Sequence, residues 1–309
     1  MYVFGGQGKN LVVFDDIWAF NILEKTWEKC ISRGARPTPR YRATMVAHED
    51  RLILFGGLCQ THNFNDLYVY KIQEGQWINP EISSPWPPIM SGHTATVHGR
   101  QMVVFGGHQG KNNIYNDSND VWVLDLDSFT WKLQETTLTK PSLRHLHFQF
   151  HLNDDKLLIV GGSGRGNPPI QDMWLLTMTS PLWTWQKIHI IDDPINGDVE
   201  LSKINTACIV GQKMIIIGSK MNRNLGYIMG DGTVFAFICD LSHIYDTADP
   251  YAKWMEVREL SADAGVLPEN LKATWFSSLV FGYWELIHFG GILMGFYYRS
   301  NELHFITPI

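Results

Sequence analysis

The chain has few cysteines and no concentration of positive charge. The 309 residues include 25 lysines and arginines against 31 acidic residues, a net charge of −6 without a basic cluster. A surface that neutralises nucleic-acid phosphates is therefore not expected, and a protein partner fits better. Wide spacing of the cysteines indicates neither a disulfide framework nor a zinc site, and favours a reducing compartment, cytoplasmic or nuclear. The four cysteines are Cys30, Cys59, Cys208 and Cys239.

Motifs for phosphate and metal chemistry are also lacking. Glycine pairs recur, but none is followed by a helix-opening Lys-Ser or Lys-Thr, which excludes a phosphate-binding loop. In residues 144–151, strand alternation would place His145, His147 and His151 on one face. His145 and His151 would then lie about 20 Å apart, and the remaining pair has no third ligand. We therefore expect no metal, cofactor or catalytic site, and expect His145, like His93, to begin an inner strand and hydrogen-bond the backbone.

One apolar segment has the length of a membrane span. Residues 275–298 are rich in apolar and aromatic side chains. They also contain Glu285, His288 and a glycine pair, and they fall into register with the repeat described next. We interpret the segment as two strands and expect no contact with a membrane.

An apolar tetrad followed by two glycines recurs along the whole chain. The first glycines, with a weakened fifth copy, lie at positions 5, 56, 106, 161, 218 and 290, and these intervals are close to the kelch period of about 50 residues. The longest interval, the last, implies an insertion. Repetition marks the glycines as structural, at positions where the backbone turns or packs closely. They are Gly5, Gly6, Gly56, Gly57, Gly106, Gly107, Gly161, Gly162, Gly290 and Gly291.

A second strand and a tryptophan follow each tetrad at regular spacing. The second strand has the pattern Asp, apolar, aromatic, as in Asp66-Leu67-Tyr68, and a tryptophan stands nine residues after the aromatic residue. In the fourth copy that spacing selects Trp183, with Trp185 beside it. Such residues fill the wedges between neighbouring blades of a propeller. The repeated tryptophans are Trp27, Trp77, Trp131, Trp185 and Trp254.

These patterns predict an all-β, six-bladed kelch β-propeller of four-stranded antiparallel blades, forming one domain over residues 1–309. The units begin near residues 1, 42, 93, 145, 204 and 275. We label the strands of a blade a to d from the central channel outward, so that the glycine pair ends strand b. Strand d of the sixth blade and strand a of the first are missing from the count, and we expect an amino-terminal truncation.

The sequence resembles one group of kelch proteins in particular. Residues 119–126 with Trp131, residues 157–162, and residues 172–176 with Trp183 and Trp185 are similar to the kelch region of the F-box only protein 42 family. The resemblance covers nearly the whole chain and is strongest over residues 90–190. This sequence has only residues 220–232 where that family has a long low-complexity insertion, which makes it a divergent relative.

The resemblance implies the substrate-recognition region of an F-box, cullin-based ubiquitin ligase. Its propeller would capture a protein substrate on the loop face, while an upstream F-box absent from this sequence would bind the cullin ligase core. Two alternatives stay open: a kelch scaffold or adaptor without a ligase role, and, less favoured, a kelch-fold enzyme.

Loops joining strands b to c and d to a emerge on one face of such a propeller and carry the unusual residues. Arginines among them suit an acidic or phosphorylated segment, because a guanidinium forms paired hydrogen bonds to carboxylate or phosphate. The alternative is that these arginines are solvated or cap neighbouring carbonyls. The candidate protein-binding residues are Arg36, Arg40, Arg42, His62, Trp86, His108, Arg144 and Arg165.

Overall fold

The structure is a computed structural model that describes residues 1–60, 62–82, 85–111, 114–153, 155–164, 169–179, 181–192, 206–218, 234–246, 249–260, 274–275, 278–282, 285–293 and 299–306. These residues form strands and loops, with a 3-10 turn at Lys9–Leu11. They divide into two compact units: Met1–Ile170 with Trp174–Lys187, and Gln171–Met173 with Ile188–Ile309. Within the described ranges, no helix has the length and apolar character needed to span a membrane.

The first two repeats form antiparallel sheets in sequence order. The first has β1 (Tyr2–Phe4), β2 (Ile17–Asn21) and β3 (Thr26–Lys29), which are strands b, c and d. A short β4 (Arg33–Gly34) leads to β5 (Thr44–His48), β6 (Arg51–Phe55), β7 (Leu67–Lys71) and β8 (Gln76–Ile78), the four strands of the second repeat.

The third repeat adds a small sheet to its four strands. The repeat itself is β10 (Thr94–His98), β11 (Gln101–Phe105), β14 (Val121–Asp125) and β15 (Trp131–Gln134). The segment expected to be a plain loop between strands b and c instead forms a hairpin. It consists of β12 (His108–Lys111) and β13 (Ile114–Asp117), and β12 also pairs with β9 (Met90–Ser91).

The remaining strands continue the pattern. The fourth repeat is β16 (Phe148–His151), β17 (Lys156–Val160), β18 (Met173–Thr177) and β19 (Thr184–Ile191). The fifth is β20 (Thr206–Val210), β21 (Lys213–Gly218), β22 (Val234–Asp240) and β23 (Tyr251–Leu260). The last strands are β24 (Thr274–Trp275), β25 (Ser278–Gly282), β26 (Glu285–Leu293) and β27 (Arg299–Ile306). The described residues between 275 and 298 therefore lie in strands, as expected.

The glycine pair of the sixth repeat departs from the prediction. We expected Gly290 and Gly291 to end a strand, whereas both lie inside β26, which continues to Leu293. The strand shifts register against β27 between Phe289 and Gly291. The pair thus accompanies an irregularity within the strand, which is another position where glycine is favoured.

Glycine pairs of the first unit connect consecutive repeats. Gly106 has a φ of +65°, and a Cβ there would lie 2.8 Å from the carbonyl oxygen of Arg144 in the next repeat. Gly107, at φ +99°, donates its N–H to that same carbonyl over 2.9 Å. Only glycine permits both the left-handed backbone and the close approach. Equivalent bonds run from Gly6 to Arg40 and from Gly57 to Met90.

The predicted aromatic packing occurs at the same boundaries. In each case the phenylalanine before the glycine pair contacts the tryptophan of strand d in the following repeat. In the fourth repeat the tryptophan that contacts Phe105 is Trp185. The nine-residue spacing selected Trp183, which is two residues too early in the chain. Ring centroids lie 5.2 Å apart for Phe4 and Trp77, 4.8 Å for Phe55 and Trp131, and 5.0 Å for Phe105 and Trp185.

Buried histidines make a further connection between repeats. Nε2 of His93 lies 2.9 Å from the Thr44 hydroxyl, and Nε2 of His147 lies 2.6 Å from the Thr94 hydroxyl. Both imidazoles are buried, and burial lowers the pKa of His93 to about 3. These two histidines occupy equivalent positions, so the counterpart of His93 is His147 and not His145.

The alternation predicted for residues 145–151 is wrong at its start. Leu146 adopts a left-handed conformation with φ +53°, and β16 begins only at Phe148. The chain therefore does not run as one strand from His145 to His147, and these two imidazoles have different surroundings. Arg42 and Gly92 hold the same left-handed position, at φ +55° and +62°.

Chain segments that leave strand d pair in parallel with a later strand d. Gly34 lies opposite Trp77, and Thr136 lies opposite Trp183. In the second unit, the end of β19 pairs with β23, with His189 opposite Tyr251. This pairing covers the outer edges, which would otherwise present unpaired backbone groups.

The second unit has its own core. β20, β21, β22 and β23 follow one another in its sheet, and β26 is central to the last sheet. Side chains of the fifth and sixth repeats pack together there, including Cys208, Ile217 and Leu286. Trp254, the tryptophan predicted for this repeat, is buried.

Candidate protein-binding surface

Arg40 is buried, although the sequence placed it in a loop cluster. Its guanidinium forms a paired interaction with the Asp66 carboxylate, in which Nη2 and Oδ2 lie 2.9 Å apart. Nε donates to the Thr38 carbonyl over 2.9 Å, and Nη1 donates to the Gly56 carbonyl over 3.0 Å. The side chain therefore ties together the segment before strand a, the end of strand b and the start of strand c.

Arg144 has the same arrangement two repeats later. It is fully buried, and it donates to the carbonyls of Ser142 and Gly161 over 3.1 and 3.0 Å. The expectation that Arg40 and Arg144 are exposed loop cations is wrong. The alternative, that loop arginines cap neighbouring carbonyls, is confirmed for both. Arg165 lies outside the described residues.

Two of the candidate arginines do reach the surface. Arg36 is about half exposed and lies 3.1 Å from the Asp15 carboxylate, which is also accessible. Arg42 is exposed at the start of the second repeat, although partial burial of its guanidinium lowers the pKa of this group. An exposed pair such as Arg36 and Asp15 contributes little to folding, so both groups can exchange partners at small cost.

The aromatic candidates differ in exposure. His62 is exposed, with its ring 4.7 Å from Phe64 and its Nδ1 3.5 Å from the Cys59 sulfur. Trp86 is partly buried against the core of the second and third repeats. His62 is thus accessible to a partner, whereas Trp86 offers only part of its ring.

An apolar loop in the first repeat is the feature that the sequence reasoning missed. Leu11, Val12 and Phe14 are 55%, 51% and 43% exposed, although each belongs to a large apolar residue type. Exposed apolar side chains that adjoin one another mark sites of interaction more often than isolated ones. We call residues 9–14 the apolar loop. The available signal was an apolar run that fits none of the repeated strand positions.

The backbone of the apolar loop is held in an unusual conformation. Asn10 and Leu11 have φ values of +55° and +62°, and left-handed leucine is strained. The Gly8 N–H bonds to the Val12 carbonyl over 2.7 Å, and the Gln60 side chain donates to the Leu11 carbonyl over 2.6 Å. The loop is therefore fixed with its apolar side chains outward.

His108 belongs to a compact polar cluster. Its Nδ1 lies 2.8 Å from Oδ1 of Asp117, and Nδ1 of His145 lies 2.8 Å from the same oxygen. Burial lowers the pKa of His145, with smaller contributions in the same direction from His108 and Arg42, and Asp117 acts in the opposite direction. Sequence reasoning named His108 and His145 separately but did not bring them together.

Comparison with known proteins places the chain in a family. Residues 1–185 match the family described as FBX42, beta-propeller domain. The chain belongs to this family. Its fold is accordingly an all-β propeller with kelch repeats, as the repeat pattern predicted.

Relatives with curated descriptions cover part of the chain. Human kelch domain-containing protein 1 is 29% identical over an alignment of 214 positions, which covers 59% of this chain and 51% of the relative. The leucine-zipper-like transcriptional regulator 1 homolog of Drosophila melanogaster is 32% identical over 292 residues, covering 73% of this chain and 29% of that protein. The chain thus spans about half of the first relative and under a third of the second.

A solved structure has the same fold. The protein titled YjhT superposes with a TM-score of 0.66 at 16% identity, covering 95% of this chain and 89% of that one. The kelch relatives matched by sequence indicate a protein-interaction domain, and kelch propellers are typically non-catalytic.

Proposed function

We propose that this FBX42-type propeller captures a protein substrate for a cullin-based ubiquitin ligase. Membership of the family supports a protein partner, and the resemblance to kelch F-box proteins supports the ligase role. The six repeats would form six blades, and an F-box upstream of the propeller would supply the link to the ligase core. We expect the chain to work in the cytoplasm or nucleus.

The observation that carries the binding site is the exposure of the apolar loop. Fully burying a leucine, valine or phenylalanine side chain stabilises an interface by about 1.5–3 kcal/mol. The apolar loop is held in place before binding, so a partner would not have to order it. Asp15 follows Phe14 directly and pairs with Arg36, so a charged pair adjoins one end of the apolar loop.

The partner segment should therefore combine an apolar anchor with acidic or phosphorylated residues. Arg36 and Arg42 are the exposed candidates for contacts with such residues, since Arg40 and Arg144 are committed to carbonyls inside the protein. His62 remains a candidate at the same set of loops.

A matched pair of variants tests the surface. The double variant Leu11→Ser with Phe14→Ser removes the apolar anchor. The control Leu23→Ser alters a leucine that is more exposed than Leu11 and lies in the turn between β2 and β3, at the other end of the strands. Partners captured by the wild type and by Leu23→Ser, but lost with the loop variant, would support the proposal. Retention of the same partners by the loop variant would contradict it.

The ligase role is tested by the fate of the captured partner. In cells that lack the gene, a substrate should accumulate, with less attached ubiquitin and a longer half-life. A scaffold or adaptor, the second candidate function, would leave ubiquitylation and half-life unchanged while losing a complex. Persistent ubiquitylation in those cells would favour the scaffold.

A further inference from the structure

Two imidazoles from consecutive repeats converge on one carboxylate oxygen. Nδ1 of His108 and Nδ1 of His145 each lie 2.8 Å from Oδ1 of Asp117. The Asp117 side chain is 5% exposed, and His108 and His145 are 29% and 19% exposed. A buried carboxylate lies between two imidazoles that solvent can still reach.

The backbone fixes these three positions. His108 and Asp117 lie directly opposite each other in the hairpin of β12 and β13. The next residue, Ser118, accepts a hydrogen bond from the Arg144 N–H over 3.0 Å, which places His145 alongside. His145 in turn exchanges two backbone hydrogen bonds with Ser163. Because each residue lies in hydrogen-bonded backbone, the backbone positions of all three residues are set before any ligand arrives.

The same backbone positions carry unrelated residues in the first two repeats. Each set has three members. The first is the residue after the glycine pair, and the second is the residue bridged to it across the loop. The third is the residue after the one whose carbonyl accepts a hydrogen bond from the second glycine. The His-Asp-His combination is therefore not needed to build the repeat. The equivalent sets are Gln7, Val13 and Tyr41, and Leu58, Asn63 and Ser91.

We propose that His108, Asp117 and His145 bind a divalent transition-metal ion of the zinc class. Two imidazoles and one carboxylate form a known protein ligand set for zinc, and leave a fourth position open. With bonds of about 2.0–2.1 Å, tetrahedral ligand atoms lie about 3.3 Å apart, so each histidine needs to withdraw from Asp117 by about half an ångström. The ion takes the place of the proton that His108 Nδ1 and the Asp117 carboxylate share in its absence, and it neutralises the buried carboxylate.

Cobalt and zinc titrations of the chelator-treated chain test this site. Cobalt should give visible absorption bands at one ion per chain, and zinc should displace it. Replacing a group that only supports a ligand weakens metal affinity by about 10–100-fold, so loss of a ligand in Asp117→Asn or His145→Gln should weaken it by about 100-fold or more. Zinc should also raise the melting temperature of the wild type and leave that of Asp117→Asn unchanged.

A second imidazole pair provides the control. His98 and His151 lie 3.1 Å apart between Nδ1 and Nε2, and His151→Gln removes that pair. The proposed site predicts wild-type metal affinity for His151→Gln. If Asp117→Asn fails to fold, His108→Gln, which changes the most exposed of the three, takes its place. Absence of cobalt binding in the wild type, or binding that is lost only in His151→Gln, would overturn the proposal.

Discussion

The ring of Phe55 packs 4.8 Å from that of Trp131, which lies in the outer strand of the next repeat. Both side chains are buried. Aromatic pairs in such a tilted arrangement contribute about 0.5–1.5 kcal/mol beyond the area they bury. In a double-mutant cycle of Phe55→Leu and Trp131→Leu, the unfolding free energies should therefore be coupled by about this amount. Strict additivity in chemical denaturation would show that the boundary depends on burial alone.

Arg36 and Arg40, which lie between the first and second repeats, distinguish a structural arginine from one that contributes surface charge. Arg40→Met leaves the Asp66 carboxylate and two carbonyls without their donor, and should lower the free energy of unfolding by about 3–5 kcal/mol, less where water reaches Asp66. The control Arg36→Ala breaks only the exposed pair with Asp15 and should cost under about 1 kcal/mol. Urea unfolding of both variants measures the difference. Equal losses would contradict a structural role for Arg40.

Two glycines with similar backbone angles should respond differently to alanine. Gly99 has a φ of +57° and no atom within 4 Å of an added Cβ, so Gly99→Ala should cost only the left-handed strain of about 1–2 kcal/mol. At Gly106 the added Cβ would also lie 2.8 Å from the Arg144 carbonyl oxygen. This overpacking should lower the free energy of unfolding by a further ~1–3 kcal/mol. Thermal unfolding compares the two. A Gly106→Ala variant no less stable than Gly99→Ala would refute the close-approach argument.

The repeat could be predicted from the sequence because each of its parts recurs at fixed spacing. Glycine pairs, the phenylalanine before them and the outer tryptophans specify local geometry, and local geometry repeats. The burial of Arg40 could not be predicted in this way, because the burial of a loop residue depends on which carbonyls the fold places around it. The same holds for His108, Asp117 and His145, which come from three separate segments. A single left-handed residue, Leu146, was enough to invalidate the alternation expected from His145 onward.

Stability should fall in mild acid because of the buried histidines. Burial lowers the pKa of His93 from 6.5 to about 3, so the unfolded chain binds more protons than the folded one between these values. The stability that His93 contributes is complete above pH 6.5 and is lost as the pH falls toward 3. Between pH 6 and pH 5 the loss from this group should be about 1 kcal/mol.

The variant His93→Gln keeps a polar group near Thr44 but does not titrate. Its free energy of unfolding should decline less steeply over that pH range than that of the wild type, by about the same amount. His147, which is also buried, remains in both proteins and cancels in the comparison. Parallel pH profiles for the two proteins would show that His93 is not buried in its neutral form.

Parallel pairing of the segment after one outer strand with a later outer strand has a consequence for synthesis on the ribosome. Residues 33 and 34 emerge early, yet their hydrogen-bonding partners are residues 76 and 77, which are translated later. Thr136 likewise pairs with Trp183, which is translated later. In these repeats the segment after the outer strand therefore has unpaired backbone N–H and C=O groups until the following repeat has been translated. A pause in translation between repeats would leave an exposed strand edge for which chaperones would be needed.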